Sequence, residues 1–190
     1  MDNERKNKSK EEHVIVLDFL KNGYSSDNRP FHMKEPIIQC IGKDFFVLLE
    51  LVAKPGIMVN PHEEVYIGDG ERDKVAYIKG SLQMDKLSQT SRNELRFVIE
   101  EIVESKEDKF MNFFNNSGPI SLRSHQLEIL PGIGKKHAME LINEREIEPF
   151  KSFEDIKKRV SSVPSPKKAI IERILVELEG QDRFKLFVRG

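Results

Sequence analysis

Cysteine, tryptophan and long apolar runs are scarce or missing in this chain of 190 residues. The single cysteine, Cys40, excludes an intrachain disulfide and a zinc site made of several cysteines. No apolar segment follows the charged N-terminus or approaches the length of a membrane span, so we expect a cytoplasmic protein with no membrane partner. Walker and dinucleotide-binding loops are absent, and the five histidines show no metal-ligand spacing. The sequence therefore predicts no catalytic residues, no metal site and no bound organic cofactor.

Charge is distributed unevenly along the chain. From Ser121 onward, 14 Lys and Arg residues stand against 11 Asp and Glu, whereas the remainder has 17 against 21. The formal net charge of −1 argues against a protein that coats nucleic acid with its whole surface. The basic excess coincides with the most specific motif of the chain, which predicts a local contact with phosphate.

That motif, residues 127–142, has the pattern of two helices joined by a short turn. Apolar residues recur at helical spacing on both sides of the turn, at Leu127 and Leu130 and then at Ala138, Leu141 and Ile142. The turn is the Gly-Ile-Gly hairpin, residues 132–134. The pattern resembles the helix-hairpin-helix motif of nucleic-acid-binding proteins, which holds the sugar-phosphate backbone and does not read bases.

The Gly-Ile-Gly hairpin predicts a phosphate site. Gly132 and Gly134 can both take positive φ and admit a foreign backbone. The amides at the start of the second helix are unpaired and carry the positive end of the helix dipole, and two lysines follow at once. The hairpin carbonyls can also hold a monovalent cation, as in similar motifs. The competing interpretation is a helical corner whose glycines only turn the chain. The candidate nucleic-acid-binding residues are Gly132, Ile133, Gly134, Lys135, Lys136 and His137.

The rest of the chain predicts an α+β fold, a small OB-like β-barrel followed by an all-helical domain. Five short apolar or alternating runs, separated by turn residues, suit a closed barrel because closure removes exposed edges. These runs are Val14–Leu20, Pro36–Ile41, Phe45–Val52, Glu64–Ile67 and Lys74–Ile78. The predicted divisions are a disordered leader over 1–12, the barrel over 13–86, connecting helices over 87–118 and a helix-hairpin-helix domain over 119–190 with a terminal strand.

Several details of the helical part follow from local signals. Ser91-Arg92-Asn93-Glu94 is a capping-box pattern that predicts a helix start. Lys167-Lys168-Ala169 faintly repeats Lys136-His137-Ala138, which suggests a degenerate second hairpin with a supporting role. The alternation of Phe184, Leu186 and Val188 predicts a strand that returns to a sheet edge.

One enzymatic alternative involves Asp155. Base-excision glycosylases also carry a helix-hairpin-helix, with a catalytic aspartate some two dozen positions further on. Here Asp155 falls in the first turn of an amphipathic helix, where the helix dipole favours acidic residues, and no large helical domain is present to hold a flipped base. We therefore expect a protein that is not an enzyme.

The order of motifs resembles one archaeal family of small proteins that have no assigned activity and are described as RNA-binding. The resemblance rests on segments throughout the chain after the leader. They include Leu17-Asp18-Phe19-Leu20, Arg29-Pro30 through Gly68, Asn93 through Ile102, Phe113-Phe114-Asn115, Leu127 through Ile142 and Pro149 through Val160. It implies an OB-like barrel joined to a helix-hairpin-helix domain, and an archaeal cytoplasmic protein whose genes lie among those for ribosome and transcription components.

The resulting functional hypothesis is a nucleic-acid-binding protein for structured RNA, rRNA or tRNA, acting in ribosome biogenesis or translation. Ribosomal or transcription-associated proteins are then possible partners, and Tyr66 and Tyr77 on the barrel could stack bases. DNA is a second possible ligand, because phosphate contacts distinguish it poorly from RNA. The competing hypothesis is a protein-interaction adaptor with a purely structural hairpin, supported by the acidic face Glu94, Glu100, Glu101 and Glu104.

Overall fold

The computed structural model describes residues 10–180 and 182–189, and its α+β class confirms the predicted one. Within them, residues 10–95 with 189 form one compact unit, and residues 96–180 with 182–188 form a second. The strands are β1 His13–Leu20, β2 Ile37–Gly42, β3 Leu48–Ala53, β4 Glu64–Tyr66, β5 Val75–Ser81, β6 Pro119–Ser121 and β7 Ser124–His125. The helices are α1 Gln89–Ser105, α2 Glu107–Asn116, α3 Lys135–Ile147, α4 Phe153–Arg159 and α5 Pro166–Glu179. Short 3-10 helices span Phe31–Met33, Met84–Lys86 and Gln126–Ile129.

The five predicted strands are confirmed, and they form one curled antiparallel sheet in the order β4-β1-β2-β3-β5. One of its apolar clusters includes Val16, Ile38 and Leu51, which are fully buried. The sheet is a half-barrel and not the closed barrel we predicted, since β4 and β5 are edges that do not pair with each other in the described residues. The two edge strands are protected in different ways from pairing with a strand of another molecule. β4 has only three residues, and β5 carries two register shifts that make it a poor template for another strand.

A row of polar side chains crosses this sheet and anchors the start of α1. Asp18 pairs in register with Gln39, and Gln39 with Glu50. The buried Gln39 oxygen accepts the Ser88 amide and the Ser91 hydroxyl, each at 2.8 Å. Ser88 caps the helix by accepting the Ser91 amide at 3.0 Å. The helix therefore starts before the predicted capping box, because Ser91 is buried against the sheet and serves the polar row.

Replacing Gln39 by methionine should lower the free energy of unfolding by about 1–3 kcal/mol, since the buried Ser91 hydroxyl would lose an acceptor. Urea unfolding followed by circular dichroism would measure the change. The matched control is Gln89→Met, at an exposed position of α1. Equal stabilities of the two variants would show that the polar row is not a stabilising element.

The end of the predicted leader is ordered. Residues 1–9 lie outside the described residues, but Glu11 is buried and its carboxylate accepts the amides of Asp44 and Phe45 at 2.9 and 2.6 Å. Burial raises the pKa of this carboxyl above its ordinary value. The prediction of disorder through residue 12 was wrong there, because a carboxylate that binds a turn leaves no signal in hydrophobic periodicity.

The second unit has an aromatic core built around α2. Phe110 and Phe114 are fully buried, and the Phe153 ring lies 6.4 Å from each of theirs. Phe187 packs edge-on against Phe110 and Phe113, at 5.6 and 5.0 Å between ring centroids. The clustered phenylalanines are therefore core residues, as their helical spacing indicates, and not a stacking platform for bases.

The predicted C-terminal strand does not form. Residues 182–189 are irregular, and the carboxylate of Glu177 on α5 accepts the amides of Leu186, Phe187 and Val188 at 2.7 to 2.9 Å. The alternation does not mark a buried face, because Phe184 is exposed while Phe187, which lies between Leu186 and Val188, inserts into the aromatic core. The backbone amides of this segment thus donate to the Glu177 side chain and not to a neighbouring strand.

Candidate nucleic-acid interface

The first half of the predicted helix pair is a 3-10 helix of four residues and not an α-helix. Its start is fixed by His125, whose Nδ1 accepts the Leu127 amide at 3.1 Å while the His125 amide donates to Glu128 at 2.9 Å. Its end is fixed by Pro131, which favours extended backbone at Leu130. Burial, followed by the charge of Arg145, lowers the pKa of His125 and so favours the neutral ring that the acceptor role requires.

The two glycines of the Gly-Ile-Gly hairpin have different roles. Gly132 has φ of +83°, a conformation in which other residues are strained. Gly134 could take positive φ but has φ of −88° and ψ of 180°, which any residue can adopt. A Cβ at Gly134 would meet no atom within 4 Å. Gly134 therefore leaves open space at the start of α3.

The start of α3 differs from the starts of the two helices that follow. Ser152 and Ser165 cap α4 and α5 by accepting the amides of Asp155 and Lys168 at 3.0 and 3.3 Å. Gly134 has no side chain with which to cap α3. Among the hydrogen bonds of the described residues, the first three amides of α3 have no acceptor, those of Lys135, Lys136 and His137. Of these three helices, α3 is the one whose N-terminal amides are available to an external anion.

Two lysines and a histidine supply both these amides and the side chains that follow Gly134. Lys135 is exposed, and the Lys136 side chain is 86% exposed, with its nearest carboxylate on Glu140 at 4.0 Å. His137 donates from Nδ1 to the Gly132 carbonyl oxygen at 3.1 Å, so its ring braces the hairpin. In the neutral ring Nε2 then has no proton to donate, and the His137 amide is the better phosphate ligand.

Two carbonyl oxygens that precede the Gly-Ile-Gly hairpin each accept one amide of the turn. Leu130 O accepts the Ile133 amide at 3.0 Å, and Leu127 O accepts the Leu130 amide at 3.2 Å. A carbonyl oxygen has a second lone pair, so a monovalent cation at these oxygens stays a prediction. No group of three or more His, Cys, Asp or Glu side chains suited to a metal ion occurs in residues 10–180 and 182–189.

The faint sequence repeat corresponds to a second hairpin, residues 160–165, with the same turn hydrogen bonds. Val163 N donates to Val160 O at 3.1 Å, as Ile133 N does to Leu130 O at 3.0 Å. Ala169 N donates to Ser165 O at 3.0 Å, as the corresponding Ala138 amide does to Gly134 O at 2.9 Å. The second hairpin lacks glycines and its helix is capped by its own serine, which agrees with the supporting role predicted for it.

The two hairpins together line a cavity of about 280 Å³ that is partly open to solvent. Its lining is mostly apolar, and it consists of Pro131, Gly132, Ile133, Val163, Pro164, Ser165, Lys168, Ala169 and Glu172. Sequence reasoning did not predict this cavity. The repeat was the available signal, because two similar hairpins that pack together place their turns side by side.

Other residues singled out in the sequence have structural partners. The Tyr66 hydroxyl accepts the Gly70 amide at 3.0 Å, and its ring lies 5.3 Å from that of His13. Tyr77 is 43% exposed and donates to Glu35 at 2.6 Å, which raises the pKa of Tyr77. Asp155 accepts the Lys151 amide at 3.0 Å and pairs with Arg159 at 3.4 Å. Asp155 thus stabilises the start of α4, and Tyr77 is the more accessible of the two tyrosines.

Comparison with known proteins agrees with the predicted resemblance. A family model described as "Protein of unknown function (DUF655)" matches residues 10–189. The chain belongs to this family. It is similar to the uncharacterized protein MJ0038 of Methanocaldococcus jannaschii, with 39% identity over 189 residues, 97% of this chain and 84% of that protein. It is also similar to the crystal structure of Af1531 from Archaeoglobus fulgidus, with 43% identity, a TM-score of 0.87 and coverage of 94% of this chain and 100% of that one. Membership of a family with archaeal relatives is thereby confirmed.

The family description assigns no activity, so the function must be argued from the site itself. In the part of the chain that the structure describes, no helix combines the length and the apolar character that crossing a membrane requires. The uncapped start of α3 and the adjoining cavity are the features from which a function can be inferred.

Proposed function

We propose that this protein binds the phosphate backbone of structured RNA, rRNA or tRNA, through residues 132–137, and that it is not an enzyme. The observation that carries the proposal is the open start of α3. There Gly134 supplies neither a cap nor a Cβ, and amides without an internal acceptor lie beside two exposed lysines. In this proposal the 3-10 helix, the Gly-Ile-Gly hairpin and α3 act as a helix-hairpin-helix.

A phosphate at this position would gain three kinds of interaction. The amides of Lys135, Lys136 and His137 would donate hydrogen bonds to its oxygens, the α3 dipole would favour its charge, and the lysine side chains would add positive charge. None of these groups distinguishes one base from another, so we expect binding with little sequence preference. The modest charge excess of the region limits the contact to a few phosphates.

RNA is proposed ahead of DNA because the family resemblance implies it, together with a role in ribosome biogenesis or translation beside ribosomal or transcription-associated proteins. The half-barrel, as an OB-like domain, would provide a second surface on which Tyr77 could stack a base. Asp155 is engaged at the start of α4, which supports a binding protein over a glycosylase.

The direct test is fluorescence anisotropy with structured rRNA fragments, single-stranded RNA and duplex DNA at several salt concentrations. Affinity should fall with salt by a slope that corresponds to a few phosphates. Gly134→Val should reduce affinity at least about tenfold, because its side chain would occupy the open space at the amides. Preference for duplex DNA would identify the alternative ligand.

The matched control is Gly118→Val. Gly118 also has room for a Cβ and ordinary backbone geometry, but it lies outside residues 132–137. It should retain wild-type affinity. If folded Gly134→Val bound as well as the control, the hairpin would be a structural corner and the proposal would be wrong.

The adaptor alternative relied on an acidic face along α1. Glu94 pairs with His62 at 2.7 Å, and Glu100 and Glu104 both pair with Lys167. Acidic side chains that already have basic partners offer less charge to a protein partner, which favours RNA binding over the adaptor function.

A further inference from the structure

The cavity between the two hairpins adjoins the proposed phosphate site. Gly132 and Ile133 belong both to the cavity lining and to the Gly-Ile-Gly hairpin. A nucleotide whose phosphate lies at the start of α3 would therefore have its sugar and base within reach of the cavity. The second hairpin contributes the opposite wall through Val163, Pro164 and Ser165.

The size of the cavity restricts its occupant. At about 280 Å³ it lies at the lower end of the range for small-molecule pockets, about 300–1,000 Å³. It can accept a single ring system, but it is too small for a helix or strand of a partner protein. Size therefore restricts the occupant to a single small group such as one ring system.

The chemistry of the lining favours the flat face of a nucleobase. Ile133, Val163 and Ala169 are buried apolar residues, and Pro131 and Pro164 add exposed ring faces. The polar groups of the lining are few. The Ser165 hydroxyl already caps α5, and Lys168 is exposed. Such a surface can cover an aromatic ring but offers few hydrogen bonds with which to select one base.

The charges around the cavity suit a nucleotide. Its single lining carboxylate, Glu172, is paired with Arg96 at 2.5 Å, which lowers the pKa of Glu172 and compensates its charge. Lys168 lies on the second-hairpin side, and Lys135 and Lys136 follow the first hairpin. Glu140 lies nearby and contacts Ser162 and Lys136, but it does not line the cavity. Of these lysines only Lys168 lines the cavity, and its charge is not offset by the paired Glu172.

We infer that the cavity receives one unpaired nucleobase of the RNA whose phosphate is held at the start of α3. This inference rests on the proposed function and makes it more specific. A paired base has both faces covered by its neighbours in the stack and cannot enter, so the preferred target is RNA with a bulged, looped or terminal nucleotide. All four bases should bind with similar affinity, because the apolar lining contacts the face of the ring and not its hydrogen-bonding edge.

The test compares three synthetic RNA hairpins, one fully paired, one with a single-nucleotide bulge and one with an abasic bulge at the same position. The wild-type protein should bind the bulged RNA about tenfold more tightly than the paired RNA, and the abasic RNA should lose that advantage. Placing 2-aminopurine at the bulge should give a change in fluorescence on binding, because the base moves into an apolar site.

A pair of variants tests the cavity from the protein side. Ser165→Leu places a larger side chain in the lining and removes the cap of α5, whereas Ser152→Leu removes the equivalent cap of α4 outside the cavity. Both lose one cap, so their stabilities should fall similarly. We expect Ser165→Leu to lose the preference for the bulge and Ser152→Leu to keep it.

Equal affinity for bulged, abasic and paired RNA, with binding still dependent on Gly134, would overturn this inference and leave the proposed function intact. Retention of the bulge preference in folded Ser165→Leu would also overturn it, because the base would then bind elsewhere. Absence of RNA binding at low salt would overturn both this inference and the proposed function.

Discussion

Replacing Gly134 by aspartate should weaken RNA binding by one to two orders of magnitude while leaving the protein as stable as the wild type or slightly more stable. An aspartate at this position can cap α3 by accepting the amide of Lys136 or His137, which adds a few tenths of a kcal/mol relative to glycine. The same carboxylate would occupy the proposed phosphate position and repel the ligand. Loss of one charge-assisted contact, about 1.5–3 kcal/mol, corresponds to roughly 10–150-fold in affinity.

Because Gly134→Asp should raise stability and lower RNA affinity, this variant distinguishes a phosphate site from a structural corner. If the hairpin is purely structural, the variant should gain stability with no change in RNA affinity. If the substitution damages the hairpin, both the stability and the RNA affinity should fall. Anisotropy with RNA and urea unfolding would be measured on the same preparation. Gly118→Asp is the matched control, because it changes the net charge equally at a glycine with room for a side chain. If both variants lost affinity equally, general repulsion and not the α3 site would be responsible.

Replacing Glu177 by glutamine should destabilise the second unit by about 3–5 kcal/mol, the usual cost of breaking a buried ion pair. Glu177 and Arg173 are 1% and 2% exposed, and Arg173 Nε lies 2.8 Å from Glu177 Oε1. The Glu177 carboxylate also accepts three amides of the C-terminal segment. A glutamine amide cannot accept at both terminal atoms, so backbone donors and the Arg173 charge would lose partners.

Denaturant unfolding would measure this effect, and limited proteolysis would show whether the C-terminal segment is released. Glu179→Gln is the matched control, since Glu179 lies on the same helix and is exposed. It should change stability by less than about 0.5 kcal/mol. A loss below 1 kcal/mol for Glu177→Gln would mean that Asp182, 2.6 Å from Arg173, is a sufficient partner for that charge.

Much of the secondary structure was predictable because its signals are local. Alternation and short apolar runs located all five strands of the half-barrel, and Asp155 lies in the first turn of α4 as predicted. The predictions were wrong where a side chain distant in sequence accepts hydrogen bonds from backbone amides. Glu11 orders the end of the leader, and Glu177 holds the C-terminal segment that alternation assigned to a strand.

The sequence also located the main parts of the candidate site, but not their detailed geometry. The glycines and lysines of residues 132–137 identified a turn beside the start of a helix, and the structure places them there. The short first helix was missed because β7 and Pro131 leave only five residues between them, of which four form the 3-10 helix. The particular role of each glycine depends on its φ, which residue type alone does not specify.

The sequence by itself determined the α+β class, the positions of the five strands of the half-barrel and the family to which the chain belongs. The fold class and the strand positions follow from periods of two or 3.6 residues, which span only a few neighbouring positions, whereas the family was indicated by the order of motifs. The tertiary structure decided that the sheet stays open, that α3 alone among α3, α4 and α5 begins without a side-chain cap, and that two hairpins line a cavity. Each of these depends on contacts between segments far apart in the chain, where packing and backbone hydrogen bonding, and not local periodicity, select the arrangement.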